Sequence, residues 1–342
     1  ISISESEAKG DSGYLILPGL IDLQIYGAGG KLFSAQPSLE SIHIIEEELL
    51  QQGNTGFLIC LATNTPNVFE ECIEVIKAHR KIARNCLGLH LEGPFINPKK
   101  RGAHVEEFVR KATLDEVKNL LEMGDGTIKM MTLAPELQDD EVIQYLLDNN
   151  VVVSLGHSDA SFEQATHAYN QGIQSTTHLF NAMSPIHHRS PGIPTAVFNH
   201  PKAMSSVIVD GHHVDFEVVK MAAKLMKERL FLITDAVTAC DLGPYQHHAV
   251  DGKFVMPDGT LSGSSLTMLQ AIKNCVDYCD ISLTDAINMA TLYPAKLINK
   301  EKEIGSIAIG AEANMIVLDQ SLNLKKVFFK GEEIKLNKAS AI

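Results

Sequence analysis

Short apolar runs alternate along this chain with longer stretches whose apolar residues fall three and four apart. Eight runs read as strands: YLILPGLIDL, TGFLICLA, CLGLHLEG, TIKMMTLA, VVVSLGHS, IQSTTHLF, MSSVIVDG and LFLITDA. Between them SLESIHIIEEELLQQ, VFEECIEVIKAHRKIA, TLDEVKNLLEM, DEVIQYLLDNN, FEQATHAYNQG and FEVVKMAAKLMKERL carry the helical period. Several open on Ser, Thr or Asp and close near Gly or Asn, as helix caps do. Eight strands alternating with helices over roughly 250 residues predict an α/β fold, a (β/α)8 TIM-type barrel. An open doubly wound sheet is the alternative.

After LFLITDA the pattern changes. QHHAVDGKFVMPDGTLSG alternates and turns near Asp-Gly steps, which predicts a hairpin excursion near 245–262. SLTMLQAIKNCVDYC and LTDAINMATLYPAKLI return to the helical period, and GSIAIGAEANMIVLDQSLNLKKVFFKGEEI is rich in β-branched residues and glycine turns. The expected layout is a short N-terminal piece of a small β domain at 1–13, the barrel at 14–300, and the C-terminal part of the small β domain at 301–342.

With 342 residues and 45% hydrophobic content, the chain suits one large core plus an appendage. A net charge of -13 and a pI near 5.5 argue against a nucleic-acid or anionic-membrane partner. An anionic ligand must then be held by a few local groups. Six cysteines without a CxxC pair read as reduced thiols of a cytoplasmic protein. The opening ISISESEAKG has no apolar signal core, and no apolar run reaches the roughly 18 residues that span a bilayer.

In barrels of this kind the chemistry lies at the C-terminal strand ends. There the sequence places Glu92, His157 and His178, one carboxylate and two imidazoles from three strands, a donor set for a zinc-like divalent ion with a position left for water. Each residue alone reads as a satisfied polar strand end; together they read as a site, because burying so many ionisable groups without a function is costly. Asp235, after the last strand, suits a general base, with a helix cap as the competing role. His104 in RGAH and His213 in DGHH lie on loops that can reach a substrate carbonyl or hydroxyl. His212 and the pairs His187 with His188 and His247 with His248 carry no assignment. Arg189, on the loop past His178, suits a phosphate or carboxylate, with backbone groups near Asn181 and Ala182 joining it; a surface salt bridge competes.

PGLIDLQIYG, GLHLEGPF followed by KKRGAH, LGHSDA, THLFNAM with Arg189 downstream, VDGHHV, LITDA and GTLSGSSLTM fall in one order along the barrel. In these motifs the chain resembles the N-acetylglucosamine-6-phosphate deacetylase family of the amidohydrolase superfamily. The resemblance implies a zinc-type ion on Glu92, His157 and His178, with iron, manganese or cobalt as alternatives, and Asp235 as proton acceptor and donor. It also implies a sugar-phosphate site lined by Ala103, His104, Asn181, Ala182, Arg189, His213, Leu261, Ser262 and Gly263. The implied reaction is hydrolysis of the acetamide of N-acetylglucosamine 6-phosphate, in a homodimer whose partner loop can complete the phosphate site. Alternatives are a galacto or manno isomer as substrate, cyclic-amide hydrolysis or nucleobase deamination, and an inactive sugar-phosphate sensor.

Two departures from the superfamily pattern bear on the metal count. Where many members carry His-x-His after the first strand, this chain has Gln24 and Tyr26. The fourth strand ends in LAPE, with no lysine for a carbamylated bridge. One divalent metal ion per chain is the expectation.

Overall fold

The computed structural model describes residues 13–250 and 252–337. Eight parallel strands form one sheet in chain order: β1 (Leu20–Ile25), β2 (Asn54–Ala62), β3 (Cys86–Glu92), β4 (Ile128–Leu133), β5 (Val152–Leu155), β6 (Ser175–Thr176), β7 (Met204–Val207) and β8 (Leu230–Leu232). The strands are almost wholly buried, because helices cover them outside and side chains fill the barrel inside. The barrel closes between β8 and β1. There the Asp235 N–H donates to the Gln24 carbonyl (3.0 Å) and the Tyr26 N–H to the Ala236 carbonyl (2.9 Å). The buried Asp22 carboxylate spans the same seam, accepting the Thr234 hydroxyl and the N–H groups of Gln24 (3.1 Å) and Thr234 (3.3 Å).

The expected first strand, YLILPGLIDL, is two strands in two sheets. Tyr14–Pro18 pairs antiparallel with Met315–Asp319 in a four-stranded sheet completed by Leu324–Phe329 and Glu332–Ile334. Pro18 has no N–H to continue a ladder. Gly19 packs so closely that a Cβ there would come within 2.1 Å of Thr55 Oγ1. The small β domain thus takes residues 14–18 from the stretch assigned to the barrel; of its anticipated N-terminal piece, residues 1–12 lie outside the described residues.

LTDAINMATLYPAKLI is likewise divided, into helices Leu283–Met289 and Leu292–Leu297. Pro294 lacks the N–H that would bond the Ala290 carbonyl, and the Ile21 N–H takes that carbonyl instead (2.9 Å), tying the helix pair to β1. A further helix, Gly192–Asn199, follows the Arg189 loop and was not anticipated. The hairpin forms from His248–Val250 and Lys253–Val255, and the residues flanking it, Tyr245, His247 and Leu261 to Gly263, line the cavity at the barrel mouth. Among the described residues no helix is long and apolar enough to cross a membrane.

Candidate active site

At the C-terminal mouth, the strand ends and their loops enclose a cavity of about 200 Å³. Glu92 ends β3, while His157 and His178 each stand two residues past β5 and β6. Glu92 Oε1 lies 3.4 Å from His157 Nε2 and 3.0 Å from His178 Nε2, and those two nitrogens are 3.1 Å apart. All three side chains are buried. His157 Nδ1 donates to the Lys100 carbonyl (2.9 Å), so its Nε2 presents a lone pair to the group. A carboxylate oxygen and imidazole lone pairs this close need a cation or a proton between them. The arrangement fits a divalent metal ion.

The backbone bends sharply to deliver these groups. His157, His178, Ala182 and Asp235 have φ of 46°, 35°, 48° and 54°, a left-handed conformation that costs non-glycine residues about 1–3 kcal/mol each. Strain of that kind collects where side-chain direction matters more than backbone comfort. Glu136, from LAPE, braces the His157 loop by accepting the Ser158 hydroxyl (2.6 Å), the Asp159 N–H (2.8 Å) and Asn97 Nδ2 (2.8 Å).

Asp235 Oδ1 accepts from Gln24 Nε2 at 2.7 Å. Burial and the negative charge of Glu92 push the Asp235 carboxyl above the usual carboxylate range, against the pull of His178, His213 and His157. Burial also acts upward on Glu92, but hydrogen bonds from His104, His157 and His178 outweigh it and hold that carboxyl well below its usual value. Two adjacent carboxylates are thereby driven apart in acidity.

His104 Nδ1 accepts the Thr63 N–H (3.3 Å) and faces the Thr63 hydroxyl at 2.7 Å, which leaves the ring proton on Nε2, 3.2 Å from Glu92 Oε2. Burial holds this imidazole down at about 4, so it is neutral at pH 7. His213 Nδ1 is 2.7 Å from Asp210 Oδ2, while Asp210 Oδ1 accepts the N–H groups of His212 (2.9 Å) and His213 (2.8 Å). That leaves His213 Nε2 for the cavity. Ala103, Asn181, Ala182, Leu261, Ser262 and Gly263 also line it. Gly263 has φ 83°, and a Cβ there would lie 2.6 Å from Val237 Cγ1.

Arg189 is the anticipated site residue that the fold does not bring into the cavity: it is exposed on the turn after His187, whose Nδ1 accepts the Arg189 N–H at 3.3 Å. Tyr245 and His247 line the cavity without having been singled out. Tyr245 donates to the Thr63 carbonyl (2.5 Å), and His247 Nδ1 lies 3.0 Å from Ser262 Oγ. Their signal was the spacing of two in Tyr-Gln-His-His, which turns Tyr245 and His247 inward and leaves His248 exposed.

A (β/α)8 barrel with a carboxylate–imidazole donor set and a second carboxylate at its C-terminal mouth is the architecture of a metal-dependent hydrolase. The chain belongs to the amidohydrolase family, whose model matches residues 15–334. It is similar to the N-acetylglucosamine-6-phosphate deacetylase of Homo sapiens, 35% identical over 95% of this chain and 85% of that one. The enzyme of the same name from Haemophilus influenzae is 34% identical over 87% of this chain and 81% of its own. A crystal structure of N-acetylglucosamine-6-phosphate deacetylase from Pasteurella multocida superposes with a TM-score of 0.89 at 33% identity, covering 94% of this chain and 86% of that one.

Proposed function

We propose that this protein hydrolyses the acetamide of N-acetylglucosamine 6-phosphate to glucosamine 6-phosphate and acetate. The observation that carries the reading is the convergence of Glu92, His157, His178 and Asp235 on one cavity, in a chain whose relatives bear that activity in their names. Glu92 Oε1, His157 Nε2 and His178 Nε2 would hold one divalent ion, zinc by the borderline softness of an N,N,O set. When bound, the ion supplies Lewis acidity, acidifying water and polarising the amide carbonyl.

The remaining work belongs to side chains. Gln24 occupies Asp235 Oδ1, which leaves Oδ2 to take a proton from the attacking water. Its raised pKa suits it to hold that proton and return it to the leaving amine nitrogen. His213 Nε2 offers an acceptor to the sugar hydroxyls, and the His104 Nε2–H, shared with Glu92 Oε2, offers a donor to the carbonyl. Ser262 and the backbone of Asn181 and Ala182 complete the sugar contacts. An inactive sensor would lack a donor or the base, and all four groups are in place.

Arg189 stands outside its own cavity, so in this reading it serves the phosphate across a homodimer, from one copy's loop to the other copy's cavity. The enzyme is cytoplasmic, without nucleic-acid or membrane partners. Acetate release from the gluco, galacto and manno N-acetylhexosamine 6-phosphates, with and without chelator, tests the substrate. Chelator-sensitive preference for the gluco compound is expected, and a clear galacto preference would overturn the choice.

A further inference from the structure

The two oxygens of Glu92 have different surroundings. Oε1 faces His157 and His178 and accepts from Gln24 Nε2 at 2.9 Å. Oε2 accepts the Tyr26 hydroxyl and lies 3.2 Å from His104 Nε2. Tyr26 is fixed in turn. Its oxygen is 3.1 Å from Gln24 Nε2, which also reaches Asp235, and its ring packs among Leu32, Cys60, Val237, Tyr245 and Phe254 in an apolar cluster separate from the barrel core. A phenol so placed fills the space beside Glu92 and leaves the carboxylate one way to point.

We propose that Tyr26 is a positioning residue for Glu92: its hydroxyl, with the His104 N–H beside it, pins Oε2, so that Oε1 alone is presented to an ion held with His157 and His178. This rests on the metal reading of those three residues given above. A carboxylate free to swing offers either oxygen or both, and freezing it on binding costs entropy. One already held by a neighbour does not incur that cost, and it enforces single-oxygen coordination. Partners of metal ligands that act this way typically change affinity by about 10–100-fold when removed. Phenylalanine keeps the ring and its packing and removes only the hydroxyl, so it isolates this contribution.

The test titrates metal-free wild type and Tyr26→Phe with zinc against a chromophoric chelator, and compares the cobalt-loaded proteins by visible absorption. Tyr26→Phe is expected to bind zinc roughly 10–100-fold more weakly. Its cobalt band should weaken as Glu92 offers both oxygens and the coordination number rises, while the melting temperature of the metal-free protein stays at the wild-type value. Equal zinc affinity would overturn the proposal. So would a metal-free variant that melts as far below wild type as its loaded form does, since Tyr26 would then be merely structural. Failure of wild type to bind zinc at all would overturn the metal site itself and this inference with it.

Discussion

Two buried glutamates stand beside imidazoles in this barrel, and they do different things. Glu46, on the helix Leu39–Gln51, lies 3.1 Å from His79 Nε2, and its Oε1 accepts the backbone N–H groups of Arg84 (2.8 Å) and Cys86 (3.1 Å). Those partners come from the single stretch 79–86, so the carboxylate ties one loop to one helix. Glu92 draws on three imidazoles delivered by separate loops, two of them with strained backbone, and all of them open to a cavity. A buried carboxylate–histidine pair is therefore not by itself a site. Convergence of lone pairs on a cavity is what distinguishes Glu92.

The sharpest way to press that contrast is at the cavity. Asp235→Asn is expected to keep the metal and the melting temperature while losing on the order of 10²–10⁴ in turnover, the scale of general acid–base catalysis. Unchanged turnover would remove Asp235 from the chemistry. At the other glutamate the effect should move from rate to stability. Glu46→Ala, which strands His79 and two N–H groups, should lower the unfolding free energy by about 3–5 kcal/mol in denaturant titrations. Activity per folded molecule should hold, and a loss there would break the distinction.

Arg189→Ala tests a smaller effect on binding: one charge-assisted contact is worth about tenfold, so KM for the phosphorylated sugar should rise by that much. An unphosphorylated acetamide should not notice, and equal losses on both would make Arg189 structural. The smallest effect is in acid. Burial raises the Glu46 carboxyl, but the neighbouring His79 and the two N–H groups bring it below its ordinary 4.5. Its contribution is then complete above about pH 4.5 and lost as pH falls through the lower folded value. The melting temperature of wild type should drop more steeply below pH 4.5 than that of Glu46→Gln, and parallel curves would contradict the assignment.

The barrel was legible because each buried parallel strand writes itself as an apolar run, and the candidate metal donors were legible because several ionisable residues fall together at the ends of such runs, although each alone reads as a satisfied polar strand end. Gln24 and Tyr26 could be recognised as missing histidines, but their bonds to Glu92 and Asp235 could not, since these join residues far apart in the chain. The Pro18–Gly19 step marks a break inside one apolar run, but nothing local says that its two halves join different sheets. The helix Gly192–Asn199 escaped because eight largely apolar residues show no polar face to set a period. His247 escaped because its partner, His248, looks the same in sequence and points the other way.

The central claim is that Glu92, His157 and His178 hold one catalytic metal ion. Titrating metal-free protein with zinc while following acetate release from N-acetylglucosamine 6-phosphate tests it most directly. Activity should start near zero and climb to a plateau at one equivalent per chain; a plateau at two, or full activity with no metal added, would contradict the account.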